Sequence, residues 1–65
     1  MIVFQKLNTS EEIYIKTLIK DGQLKIVETP HIKEAKKYTV NNARITYKLY
    51  DLKGLYSMQA IIFGL

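Results

Sequence analysis

Between Glu12 and Lys20 the chain alternates. Ile13, Ile15, Thr17 and Ile19 fall on odd positions, with Glu12, Tyr14, Lys16, Leu18 and Lys20 between them. A period of two rich in β-branched residues predicts a strand. Asp21-Gly22 follows, where a two-residue hairpin turn needs positive φ, and Gln23 to Thr29 resumes the alternation. That turn sets Ile19 opposite Leu24 and Thr17 opposite Ile26, so the apolar sides match and fix the register. A helix from Ser10 to Asp21 is the rival reading, with Thr9 and Glu12 as a capping box and Gly22 as its stop. The segment has no Ala and is heavy in Ile, Tyr and Thr, which favours the hairpin.

The same pattern divides the rest of the chain. Ile2 to Leu7 reads as a strand closed by Asn8-Thr9-Ser10. Thr29-Pro30 reads as an N-cap followed by Pro at the first helical position, opening a short helix from His31 to Tyr38. After Asn41-Asn42, the stretch Ala43 to Tyr50 alternates again, with Ile45, Tyr47 and Leu49 on one side. Asp51 to Gly54 is a hairpin loop, and Leu55 to Phe63 the last strand. The expected fold is mostly β: five antiparallel strands with one short helix between strands 3 and 4, in a single domain spanning 1–65. A small α+β arrangement is the variant. This element order is similar to that of the OB barrel, whose helix plugs the barrel between the same strands, so a partly closed barrel is expected. The likeness is one of topology and carries no sequence signature. It implies oligonucleotide binding only by analogy.

The last strand departs from simple alternation. Tyr56, Met58, Ala60 and Ile62 match an inward side, yet Ile61 and Phe63 make its end apolar on the other side too. A half-exposed antiparallel strand does not need that. Either the short helix covers that second side within the domain, or Ile61 and Phe63 meet another chain, a burial worth about 1.5–3 kcal/mol for each. Tyr47 and Tyr56 fall on the core side, their hydroxyls reaching a rim.

With 65 residues, only about 60% of the unfolded chain's surface is buried on folding, which leaves little for a deep cleft. There is no cysteine, so disulfide, zinc-ribbon and thiol chemistry are excluded. The run Ala60-Ile61-Ile62-Phe63 is far short of a membrane span, and the first residues lack the pattern of a signal peptide. A cytoplasmic protein with no membrane partner is expected. Net charge is +4, but nine of the ten basic residues are Lys, and Arg44 stands alone. Arg is the residue recruited for bidentate phosphate and guanine contacts, so its scarcity weakens sequence-specific DNA reading.

Candidate chemistry is sparse. His31 is the one histidine and cannot complete a zinc site. The carboxylates lack cation-binding spacing, Ser10 and Ser57 lack a triad, and the three glycines are scattered. No catalytic residue, metal or cofactor is expected, and the chain is read as a non-enzymatic binding module. Two functions compete. The first is a protein-binding modulator or inhibitor, of the accessory kind phages carry, able to self-associate as a dimer. Its contact residues would be Tyr14, Leu18, Val27, Ile61 and Phe63. The second is a single-stranded nucleic-acid binder of OB type using Tyr14, Lys16, Lys20 and Lys25 as a stacking and phosphate surface.

Overall fold

The computed structural model describes residues 1–62. Strands β1 (Ile2–Lys6), β2 (Tyr14–Asp21) and β3 (Gln23–Thr29) are followed by a single 3₁₀ turn (Ile32–Glu34), helix α1 (Val40–Leu49) and strand β4 (Tyr56–Ala60). The strands form one open antiparallel sheet in the order β3-β2-β1-β4. The mostly-β expectation holds, but with four strands in an open sheet rather than five in a partly closed barrel.

The β2–β3 hairpin forms as the alternation predicts, with Gly22 at φ +76° in its turn, and the rival helix over residues 10–21 is absent. Its register is corrected at the tip. Lys20 pairs with Leu24, Ile19 with Lys25, Leu18 with Ile26 and Thr17 with Val27. A bulge between Ile15 and Thr17 absorbs the slip, so that Ile15 pairs with Glu28 and Tyr14 with Thr29. One extra residue in a strand flips every side chain beyond it. Ile15 and Leu18, three apart, therefore both pack on the helix side, where Ile26 joins them.

Helix and strand expectations for residues 31–50 are both corrected. Ala43 to Tyr50 is not a strand but most of α1. The Thr39 hydroxyl oxygen caps the helix by accepting the Asn42 N–H at 3.2 Å. Ala43, Tyr47 and Tyr50 recur at i, i+4 and i+7 and pack inward, with Ala43 fully buried. The expected helix His31–Tyr38 is reduced to the one 3₁₀ turn. Thr29 Oγ1 accepts the His31 N–H, as a cap would, but Ala35 is already extended. Tertiary pairing outcompetes the local preference. Tyr38 and Ile2 exchange both backbone hydrogen bonds at 2.8 Å, and the Lys36 N–H donates to the Ile15 carbonyl at 3.0 Å. Between β1 and β2 the strand pairing is confined to Gln5↔Tyr14. Residues 36–38 thus wedge against the edge of β1 that faces β2, supplying bonds those strands do not give each other.

The wedge lets both sides of the sheet be covered. On one side Phe4, Ile15, Tyr38, Ala43, Leu52 and Tyr56 form the main core under α1, with the Phe4 and Tyr38 rings 4.9 Å apart. On the other, Val3, Tyr14 and Ala35 form a smaller cluster. Ile61 packs onto that cluster while Ile62 is 83% exposed, the reverse of the inward and outward assignment expected for them. The second apolar side at the chain's end is thus covered, in the case of Ile61, by the domain itself. Phe63 lies outside the described residues.

Candidate interaction surface

Of the residues proposed from the sequence, Tyr14 and Ile61 meet in the smaller cluster, but the set as a whole does not share an exposed surface. Tyr14 is buried against Val3 and Ala35. Leu18 is half-buried on the helix side, and Val27 is exposed on the opposite side. The bulge parts Tyr14 from Leu18 by restoring alternation beyond Lys16 in the opposite phase, and the register at the hairpin tip parts Leu18 from Val27. The three lysines disperse too, since Lys20 pairs with Leu24 and Ile19 with Lys25, which sets Lys20 and Lys25 on opposite sides. Lys16 sits in the bulge with Nζ 3.9 Å from Glu34. Lys20 extends on the helix side, Nζ 6.0 Å from the centre of the Tyr50 ring, and Lys25 is exposed on the far side opposite Ile19. One continuous phosphate track through Lys16, Lys20 and Lys25 does not form.

Two shallow clefts flank the sheet. The larger, about 560 Å³, lies beside the 3₁₀ turn and is lined by Glu12, Tyr14, Pro30, His31 and Glu34 among others. Its polar groups are largely committed: Glu34 accepts from Thr29 Oγ1 at 2.8 Å and faces Lys16, and these contacts, the hydroxyl first, hold its carboxyl below the usual range. The smaller cleft, about 370 Å³, is bounded by Lys6, Leu55 and Tyr56. Here Glu28 receives the Tyr56 hydroxyl at 2.5 Å and Lys6 Nζ at 3.2 Å, and Tyr47 donates to the Tyr56 carbonyl at 2.7 Å. Burial first, and then Glu28, push the Tyr56 phenol well above its ordinary value. A tyrosine so held keeps its proton and serves as a tie. Among the described residues, no three His, Cys, Asp or Glu side chains gather where a metal could bind.

What the fold leaves open is the outward side of α1. Ile45 and Leu49, 63% and 64% exposed, stand one turn apart and with Asn41 form an i, i+4 row along the helix. Arg44 and Lys48 make the neighbouring row, and Asn42 and Thr46 the row on the other flank. The helix carries no carboxylate; the nearest in sequence is Asp51, past its C-terminal end. Sequence reasoning missed this surface because, as a strand, Ile45 and Leu49 belonged to the core. The Thr39 cap and the Ala43, Tyr47, Tyr50 spacing were the signals that could have found it. Ile19 and Val27 are also exposed, as diagonal neighbours on the hairpin, but Lys25 and Thr17 complete their pairs and break the apolar area up.

Comparison of the chain with protein-family models, with curated proteins and with solved structures gave no match. No helix among the described residues is long and apolar enough to cross a membrane.

Proposed function

We propose that this protein is a non-catalytic binding module, a small modulator or inhibitor that docks another protein on the outward side of α1. The observation that carries it is the exposed pair Ile45 and Leu49, which belongs to neither core cluster. Burying two such side chains on association is worth about 1.5–3 kcal/mol each, while leaving them in water serves no purpose in the monomer. Apolar residues at i, i+4 on a helix are the anchors of helix-in-groove and helix-on-helix recognition.

A second reading, nucleic-acid binding, is favoured by Arg44 and Lys48 on the same acid-free helix. Leu49 argues against it. A duplex offers apolar contact mainly at thymine methyl groups, so an exposed Leu beside Lys48 would stay partly wet in the contact.

Capture from native lysate on the immobilised protein, with and without nuclease, separates the two. A partner retained after nuclease and lost with Ile45→Ser/Leu49→Ser, in a variant whose circular dichroism is unchanged, supports protein docking. Capture that survives the double substitution overturns it, and capture abolished by nuclease moves the function to nucleic acid.

A further inference from the structure

We infer that the partner of α1 presents an acidic amphipathic helix: two apolar side chains about one turn apart, with carboxylates along one flank. This rests on the protein-docking reading above and goes further by fixing the chemistry of what docks.

Charge and pattern on α1 together select that occupant. The apolar row of Ile45 and Leu49 is bordered on one side by Arg44 and Lys48 and on the other by uncharged Asn42 and Thr46. A complementary surface must therefore be apolar along its centre and anionic along one flank only. Carboxylates placed against Arg44 would form bidentate, charge-assisted hydrogen bonds, and those against Lys48 simple ion pairs. Such pairs at the rim of an apolar contact set orientation and speed association more than they add affinity.

A second copy of this chain does not meet the requirement. An antiparallel two-fold contact would bring Arg44 and Lys48 of each α1 against those of the other, and a parallel one would set them against Asn42 and Thr46, with no carboxylate on either helix to meet them. The molecule's net charge of +4 adds to that repulsion. A hetero-contact with an acidic segment removes it.

The contact is small. Ten residues give α1 a length of about 15 Å, two to three turns, so a partner helix crossing it covers well under the standard interface area. Affinity is accordingly expected near the micromolar range, dominated by Leu49 and Ile45 as anchors.

The test uses the whole protein and a surface-displayed library of helical peptides of about 20 residues. The apolar stripe is fixed, and both flanks vary among Glu, Gln and Lys. Enrichment of Glu on a single flank is expected. On Arg44→Glu/Lys48→Glu as bait the preference should invert to Lys. Leu49→Ser should weaken the selected acidic peptide about tenfold or more. Peptides that require Leu49 but show no charge preference, or none that inverts, overturn the acidic partner and leave protein docking standing. Enriched peptides indifferent to Leu49→Ser, or no enrichment at all, overturn both. Binding of a duplex of about 20 base pairs that is lost on the charge reversal, with no peptide enriched, assigns the surface to nucleic acid instead. Circular dichroism of each variant separates lost contact from lost fold.

Discussion

Tyr56 donates its phenolic hydrogen to Glu28 at 2.5 Å, and in doing so ties β4 to β3, the two outermost strands of the sheet. Two strands lie between them. The bond spans the side of the sheet that buries Phe4 and Ile15, and Lys6 on β1 holds the other carboxylate oxygen at 3.2 Å. The two edges of an open sheet are thereby joined through side chains, without the backbone pairing of a barrel.

Removing that hydroxyl is expected to loosen the tie between the edges. A hydrogen bond to a charged acceptor contributes about 1.5–3 kcal/mol, and part of this is recovered by water at the half-open Glu28, so Tyr56→Phe should cost about 1–2 kcal/mol. Urea unfolding would show a lower midpoint with little change in slope. A double-mutant cycle with Glu28→Gln should give a coupling of similar size; independent effects would mean that the two edges are not joined through this contact.

The same pair sets the pH response. The Tyr56 hydroxyl, and after it Lys6, hold the Glu28 carboxyl below its ordinary value despite partial burial. A depressed folded pKa gives stability that is present above the unfolded value, about 4.3, and is lost as pH falls through the folded one. Tyr56 behaves in the opposite sense. Its raised pKa gives stability that is present below the unfolded value, about 10, and is lost as pH rises. Stability measured against pH should therefore fall at both ends. Glu28→Gln should flatten the acid limb, and Tyr56→Phe the alkaline one.

The helix assignment has its own check. Ala43 is fully buried where α1 meets the sheet, so Ala43→Leu overpacks that contact and should cost about 1–3 kcal/mol. Ile45→Ala removes a larger side chain from an exposed position and should change stability by no more than about 0.5 kcal/mol. In a strand the order of the two effects would be reversed. Thermal unfolding of both variants decides it.

At the start of the helix, Thr39→Ala removes the acceptor for the Asn42 N–H. About 1 kcal/mol should be lost, with faster amide exchange in the first turn of α1. Thr39→Ser, which keeps the acceptor, should restore most of both.

The strands were legible because their information is local. β2 and β3 announce themselves by alternation around Asp21-Gly22, and β1 and β4 by short apolar runs between turn residues. The bulge at Lys16 was not legible: nothing in Ile15-Lys16-Thr17 marks an extra residue, and only packing Leu18 and Ile26 under α1 demands it. Residues 31–38 failed for a different reason. Their conformation is set by backbone bonds to Ile2 and Ile15, which local propensity does not register. For Ala43 to Tyr50, periods of 2 and 3.6 compete over the same eight residues, and the Thr39 cap tips the balance. The candidate surface was lost with that choice, since Ile45 and Leu49 change sides with the period.

The position of β1 has a consequence for how the molecule comes to be folded. β1 precedes its partners in the chain yet lies inside the sheet, and they arrive in two instalments: Tyr14 soon after, then Tyr56 to Ala60 beyond α1. Only the β2–β3 hairpin is built from neighbours. Ile2 must wait for Tyr38 on one edge and Ala60 on the other before its backbone is satisfied. Contacts this distant close slowly, and until they do β1 is an apolar strand with two bare edges. β1 thus stays open on one edge until β4 has been made, and a chain shortened before β4 would keep that edge open for good.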